Sequence, residues 1–446
     1  MNTGNKAQQV PEAQEGKGIG DMPTIDETKT LYPWINTLPS DWKVCRIDDV
    51  AHVFFSNVDK HTLEDEQSVR LCNYVDVYKN EKITGTLDFM EASADFREIE
   101  KFQIRRHDVL STKDSETPDD IAITALVAED IPNVLCGYHL AMMRPCSKRI
   151  YGPFLAWVHA SKHFRAQYEA RAVGVTRFGL PQYAFRSARV PLPPRPEQER
   201  IAAFLDASCA AIDAAVSAKQ RQIDVLHRMQ NILIIQAITH GLDKSIKLKE
   251  TGISTLGQIP AHWRQTKLRY EISIQSGDFV SDKLDDTGNY PVIGGNGEMG
   301  QSAAYNVDGE IVVVGRVGAH CGNAHHVNGR AWVSDNALIV ESKHDKRFLA
   351  HLIRVLDFNS TAKKTAQPLV TGTQIKNTYI GMPPVAEQRK IVAYIENKTS
   401  LFASLRAMLT SQIDVLTTYR KSLIHECVTG QRRISESDLK KVKAYG

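Results

Sequence analysis

One pattern occurs twice in this chain, and that repetition restricts the fold more than any other feature. The stretch VPLPPRPEQERIAAFLDA, starting at Val190, aligns without a gap with IGMPPVAEQRKIVAYIEN, starting at Ile380. Pro193 and Pro194 meet Pro383 and Pro384, and Glu197 and Gln198 meet Glu387 and Gln388. Ile201, Ala203 and Phe204 meet Ile391, Ala393 and Tyr394. The same offset of 190 superposes the pentapeptide QIDVL at Gln222–Leu226 on its identical copy at Gln412–Leu416. A second marker precedes each block. LPSDW (Leu38–Trp42) resembles IPAHW (Ile259–Trp263), with Arg46 and Ile47 placed as Lys267 and Leu268 are. Its offset is 221, so the stretch between markers is 31 residues longer in the first copy. Two copies of [Pro-x-x-Trp, variable stretch, Pro-Pro-x-x-Glu-Gln, helix] imply a duplicated structural unit.

Each Pro-Pro-x-x-Glu-Gln block reads as the start of a long helix. Pro193 and Pro194 hold the chain extended, and Pro196 suits a first turn that needs no N–H. Glu197 and Glu199 favour the positive helix end. No Pro or Gly then follows until Gly241. A 4-3 ladder runs Leu205, Cys209, Ile212, Val216, Lys219, Ile223, Leu226, Gln230, Leu233, Ala237. Its counterpart runs Ile395, Thr399, Phe402, Arg406, Leu409, Ile413, Leu416, Arg420, Leu423, Cys427. Such spacing is a coiled-coil seam. Helices of about 40 residues, roughly 60 Å long, are expected. An ordinary long helix packed on its own domain is the alternative; the matched copies favour pairing with each other. Phe204, Val225, Met229, Ile232 and Ile234 flank the first seam and call for further partner surface.

Between the markers the chain reads as mixed α/β. Strands are expected at Asp108–Thr112, His139–Met143, Glu310–Val314 and Asn336–Val340. Short helices should open at Phe154–Ala156 and Phe348–Ala350. The two variable parts therefore share one fold. Residues 1 to 30 have the composition of a disordered segment, and Thr239 to Thr255 reads as a polar linker.

Composition narrows the function classes. The 446 residues are 42% hydrophobic and 24% charged, as in globular proteins with a real core. No apolar run approaches the ~20 residues of a membrane span, and the N-terminus lacks the apolar stretch of a secretory signal. Seven scattered cysteines without a CxxC pair fit reduced thiols, so a cytoplasmic protein is expected. A net charge of +3 permits DNA binding without arguing for it.

With these motifs in order, the chain resembles the specificity subunit of Type I restriction-modification enzymes. Tyr290–Gly297 (YPVIGGNG) is similar to the family's entry into a target recognition domain. Gly309–Gly318 (GEIVVVGRVG) and Trp332–Asn336 resemble its sheet and recognition loop. Ile238–Leu242 and Val428–Gly430 resemble the ends of its two helices. In the first copy, Leu71–Asp76 (LCNYVD) stands where Gly-Gly-Asn-Gly would lie. The resemblance covers residues 30 to 434. It implies an α+β fold with an internal pseudo-two-fold repeat: two mixed α/β target recognition domains joined by two long antiparallel coiled-coil helices. The expected divisions are an N-terminal tail (1–37), a first recognition domain (38–189), a first spacer helix with linker (190–250), a second recognition domain (251–379), a second spacer helix (380–436) and a C-terminal tail (437–446).

The resemblance further implies a non-catalytic subunit reading a bipartite site in double-stranded DNA. Two modification subunits would carry S-adenosylmethionine, and restriction subunits with ATP and Mg would translocate and cut; no cofactor is expected on this chain. Leu205, Ile212, Val216, Ile223, Leu226 and Leu233 of the first helix would serve as spacer and docking residues. Ile395, Phe402, Leu409, Ile413, Leu416 and Leu423 would do so in the second. A stand-alone DNA methyltransferase or nuclease, or the specificity subunit of a Type II-like system, is the alternative.

Base readout needs forked or amide side chains. Arg316 follows a strand and sits between glycines, with Lys113 at the equivalent place in the first copy. Asn296, Gln301, Lys363, Lys364 and Gln374 are further DNA-binding candidates in the second domain; Arg171, Arg177 and Tyr183 are candidates in the first. Gly295, Gly297 and Gly300 match GxGxxG, but no helical period follows as a dinucleotide site requires. His320, Cys321, His325 and His326 lack the second ligand pair typical of zinc. No metal site is expected.

Overall fold

In a computed structural model of the chain, residues 32–280, 288–361 and 368–445 are described. The chain divides into two compact units, Met1–Val216 with Asp414–Gly446, and Ser217–Ile413.

The first unit contains β1 (Lys43–Arg46), β2 (Ala51–Phe55), β3 (Gln67–Cys72), β4 (Lys82–Ile83), β5 (Met90–Ala94), β6 (Val109–Thr112), β7 (Asp114–Ser115) and β8 (Thr124–Val127). It continues with β9 (Val134–Cys136), β10 (Leu140–Pro145), β11 (Val173–Gly174), β12 (Phe178–Gly179) and β13 (Arg189–Leu192). The main sheet has the order β2-β10-β6-β8-β4. The second unit contains β14 (Leu248–Glu250), β15 (Gln258–Pro260), β16 (Arg264–Lys267), β17 (Ile272–Ser276), β18 (Tyr290–Gly294), β19 (Gly297–Ser302), β20 (Val307–Gly315), β21 (Ala324–Val333), β22 (Ala337–Ser342) and β23 (Tyr379–Met382). Its main sheet runs β17-β22-β20-β21-β18-β19. The strands β2-β10-β6-β8 and β17-β22-β20-β21 follow one antiparallel plan.

Both sheets are buried on two faces, which explains why their central strands read as continuous apolar runs. In β6 and β10, Val109, Ala141 and Met143 enter one core while Leu110, Leu140 and Met142 enter another. In β20 and β22, Val312, Val314, Leu338 and Val340 face one core; Ile311, Val313, Ala337 and Ile339 face the other. The helices Gly152–Ala160 and Lys346–Val355 cover corresponding faces through Phe154 and Phe348, both fully buried.

The repeated markers meet inside each unit. β1 pairs with β13, and β16 with β23, so the segment after each Trp lies beside the segment before each Pro-Pro. Trp42 Nε1 donates to Glu197 Oε2 at 3.1 Å, and Trp263 Nε1 donates to Glu387 Oε1 at 3.1 Å. Gln198 Oε1 accepts from the Tyr151 N–H at 2.7 Å, and Gln388 Oε1 accepts from the Asp345 N–H at 3.1 Å. Their amides donate to the Pro193 and Pro383 carbonyls, each at 2.9 Å. The Glu thus ties the helix to the entry of its domain, and the Gln ties it to the helix behind the sheet.

The long helices are Arg195–His240 and Val385–Val428, with 46 and 44 residues, slightly longer than the ladder requires. Their seam is as the 4-3 pattern places it. Leu205, Ile212, Ile395, Phe402 and Leu423 are buried; Val216, Ile223, Leu226, Leu233, Leu409, Ile413 and Leu416 are half-buried. Polar side chains also join the two antiparallel helices within each unit. Arg420 bonds Asp213 and Glu81 in the first unit; in the second, Lys219 donates to Gln412, and Arg406 donates to Gln230 at 2.7 Å. Each helix ends on a left-handed glycine packed against a marker tryptophan. Gly430 (φ 72°) lies against Trp42 and Pro39, Gly241 (φ 75°) against Trp263.

Three sequence expectations are revised. Trp34, inside the segment read as a tail, is buried with Phe164, because one face of the short helix Pro33–Thr37 is apolar. The C-terminal segment is helical over Glu436–Tyr445, and Leu439 and Val442 pack on the first core. The first long helix does contain an 18-residue window with a membrane-like mean hydropathy of 1.6. Its apolar residues divide between the seam and an outer row, Val225, Met229, Ile232 and Ile235, which is exposed.

Replacing either marker tryptophan by Phe keeps an aromatic ring, gives up part of the indole's volume and removes the N–H donated to a carboxylate. Each change should cost about 1.5–3 kcal/mol, as loss of a charge-assisted bond does. Denaturant melts followed by tryptophan fluorescence and circular dichroism check it; no change in midpoint for either variant would contradict the tie.

Candidate nucleic-acid interface

The backbone bonds around β6 and β20 establish which residues of the two copies correspond. The Lys113 N–H donates to the His139 carbonyl at 3.3 Å, as the Arg316 N–H does to Asn336 at 2.9 Å. The Lys113 carbonyl accepts from Leu180 at 2.8 Å, as that of Arg316 does from Val370 at 2.9 Å. β3 and β9 pair in parallel through Cys72 and Cys136, as β18 and β21 do through Ile293 and Val333. Lys113 therefore matches Arg316, His139 matches Asn336, and the LCNYVD stretch of the first copy replaces the glycine-rich turn of the second. At this end of the sheet the frame is the same and the side chains differ.

In the second unit, the turn joining β18 to β19 carries Asn296, which is exposed. The turn abuts the end of β20. A Cβ on Gly315 would lie 2.4 Å from the Gly295 carbonyl oxygen, and one on Gly295 only 3.3 Å from the Gly315 Cα. The glycines thus allow two backbones to meet, bringing Asn296 beside the half-buried Arg316. Val317 bridges Leu369, so the segment ending at Thr371 also borders this site. The Arg316 guanidinium has no hydrogen-bond or ion-pair partner among the described residues. Gln301 Nε2 donates to Glu298 at 2.7 Å. Gln374 closes a capping box: its side-chain oxygen accepts from the Thr371 N–H at 2.8 Å. Lys363 and Lys364 lie outside the described residues.

The first unit differs. Lys113 turns inward, with Nζ over the Tyr138 ring at 4.6 Å and the Phe55 ring at 5.0 Å, donating to the Ser56 carbonyl at 3.3 Å. Burial holds its ammonium below the ordinary lysine range. Its neighbour Asp114 binds both Arg177 Nη2 and His139 Nδ1 at 2.8 Å. Arg171 lies apart from this group, bonding Tyr32 Oη at 2.6 Å and the Gln167 carbonyl at 2.8 Å. Tyr183 is 60% exposed on the short helix Gln182–Arg186. Sequence reasoning missed Tyr74, Asp114 and His139. The usable signal was register: Tyr74 falls in the stretch replacing the glycine turn.

The two sequence motifs set aside above have plain structures. Gly295, Gly297 and Gly300 lie on a hairpin with no helix after it. His326 bonds Glu310 at 2.8 Å, Cys321 is buried against Asn359, and burial lowers the His325 pKa. Among the described residues, no group of three His, Cys, Asp or Glu is arranged to hold a metal ion.

The profile of the Type I restriction modification DNA specificity domain matches residues 39–223 and 271–413, once for each copy of the pattern. The chain belongs to the Type I DNA specificity family. Among curated members, the EcoprrI specificity subunit of Escherichia coli is 26% identical over 169 residues, covering 36% of this chain and 40% of that protein. The MjaVIII specificity subunit of Methanocaldococcus jannaschii is 21% identical over 299 residues, 56% and 63% of the two chains. The matches thus span less than two thirds of these relatives. Two solved structures share the fold at 18% identity. One, from work on assembly and conformational transition of the type I R-M system, has a TM-score of 0.68 over 88% of this chain and 98% of that one. The HsdS subunit from Thermoanaerobacter tengcongensis has a TM-score of 0.56 over 89% and 98%.

The glycine contact gives a stability prediction. Gly315→Ala should destabilise the second domain by about 1–3 kcal/mol, since the new methyl must displace a backbone carbonyl. Gly179→Ala, with nothing within 4 Å of its Cβ, should be nearly neutral. Equal denaturation midpoints for both variants would contradict the close approach.

Proposed function

We propose that this chain is the DNA-reading subunit of a Type I restriction-modification enzyme, each domain reading one half of a bipartite site in double-stranded DNA. One observation carries the reading: two copies of a single frame present different side chains at equivalent strand ends, Lys113 with Asp114 in one and Arg316 with Val317 in the other. A frame built twice with different contents suits two different half-sites.

The remaining parts follow. The paired helices set the gap between half-sites, and their outer rows dock two modification subunits. Val225, Met229, Ile232 and Ile235 of one helix, and Leu401, Leu405, Met408, Val415 and Tyr419 of the other, are exposed. Such apolar rows on a surface favour a partner protein. Chemistry belongs to those partners: S-adenosylmethionine and adenine methylation on the modification subunits, ATP- and Mg-dependent translocation and cleavage on restriction subunits. The cytoplasm, where the DNA is, is the setting of this function. Arg316 reads a base, because its planar fork suits guanine; the point charge of a lysine such as Lys364 suits phosphate. The domain limits 38–189 and 251–379 are proposed as the readers, with 190–250 and 380–436 as spacers.

Methylation mapping in cells carrying this chain with its modification subunits should show one split motif with an adenine marked in each half. Arg316→Ala should relax one base of the second half, by about 1–3 kcal/mol of discrimination, and leave the first half unchanged. Continuous motifs in the parent, or an Arg316→Ala variant with the parental motif, would contradict the reading.

A further inference from the structure

The position that should carry the base reader in the first domain is occupied by a lysine whose ammonium is folded back onto its own domain. Lys113 matches Arg316, yet its ammonium lies over two aromatic rings and bonds the Ser56 carbonyl. The next residue instead lines an open cleft. Asp114 lies in β7, which pairs with β12, and it forms one wall of a cleft of about 920 Å³. Tyr74 and Tyr78 are stacked in the same cleft, rings 5.6 Å apart and 15° from parallel. The Tyr78 hydroxyl donates to Asp120 at 2.7 Å.

The charge of this cleft argues against phosphate. Asp114, Glu116 and Asp120 line it, and their field repels a DNA backbone. Base edges carry no net charge and present amino groups that acidic or imidazole acceptors can bind. Arg177 is placed to donate to base acceptors, and the His139 imidazole to take such an amino donor. Each is held by a different oxygen of Asp114, Oδ1 taking the Arg177 Nη2 donor and Oδ2 the His139 Nδ1. The Asp114 side chain is 16% exposed, whereas Arg177 is 60% exposed and His139 37%. The carboxylate is therefore sheltered and its two partners face solvent.

We infer that Asp114 is a positioning residue that presents Arg177 and His139 together as the base-reading pair of the first domain. This rests on the proposal that the first domain reads DNA. In its neutral form, with Asp114 accepting, His139 carries the proton on Nδ1 and leaves Nε2 as an acceptor. One end of the Arg177 fork is engaged, and its remaining N–H groups stay free to donate. A donor beside an acceptor matches a guanine together with an exocyclic amine of cytosine or adenine. The second domain has Val317 at the place of Asp114 and uses no such pair.

The test uses the intact methyltransferase, this chain with its modification subunits, acting on a DNA library randomised in both halves. Asp114→Asn keeps the shape but cannot accept equally from both partners. It should relax two positions of the first half-site by roughly ten-fold, with the second half unchanged. Arg177→Lys keeps the charge and loses the fork. It should relax the guanine position alone, whereas a phosphate contact would survive this change. A denaturation midpoint for the first domain equal to the parent's shows that each variant is folded. If both variants keep the parental preference in the first half, the inference is overturned while the DNA-reading function stands. If the parent shows no preference in its first half, the function proposed for that domain fails first, and the inference with it.

Discussion

The structure depends on a hydrogen bond made twice, from the indole of a marker tryptophan to the glutamate that opens a long helix. Each bond joins residues more than 120 positions apart, Trp42 to Glu197 and Trp263 to Glu387. It closes the variable stretch into a loop whose ends are fixed. The adjoining strand pairs, β1 with β13 and β16 with β23, continue the same closure. The last turn of a helix then docks on each tryptophan through a left-handed glycine, Gly430 on Trp42 and Gly241 on Trp263. Each domain thus holds the start of one helix and the end of the other, which is why the markers must recur as a set.

A frame closed in this way leaves the far end of each sheet free to differ. The central strands are apolar on both faces and accept little change, since each residue belongs to one of two cores. Beyond the last paired residues, Thr112 with Leu140 and Gly315 with Ala337, no such requirement holds. There the first domain places a sheltered carboxylate between two donors, and the second places a guanidinium beside a glycine turn. The same division applies to the helices. Their seam is fixed by packing and by the polar pairs at Lys219, Gln230 and Arg420, and their outer rows are exposed.

Most of this frame was legible in the sequence. Prolines, glutamates and a 4-3 ladder mark the helices, and buried strands announce themselves as runs such as Ile311–Val314. The marker-to-marker bond was not legible, because nothing local in LPSDW says where its indole will point. Trp34 looked like part of a tail, since its burial depends on Phe164, far along the chain. Lys113 was rightly placed by register, but its inward turn depends on Phe55 and Tyr138, which only the folded sheet brings under it. Gln301 and Gln374, read from the sequence as DNA-binding candidates, bond their own neighbours. Position along a strand was readable; the partner of a side chain at its end was not.

The central claim is that the frame is common and the reading is local to each insert. Exchange of residues 47–188 for the matching insert of another family member, with Trp42, Glu197 and both helices retained, tests it most directly. Methylation mapping of the exchanged enzyme should show a new first half-site, with the second half-site and the gap between them unchanged. A change in both halves, or in the gap, would contradict the account.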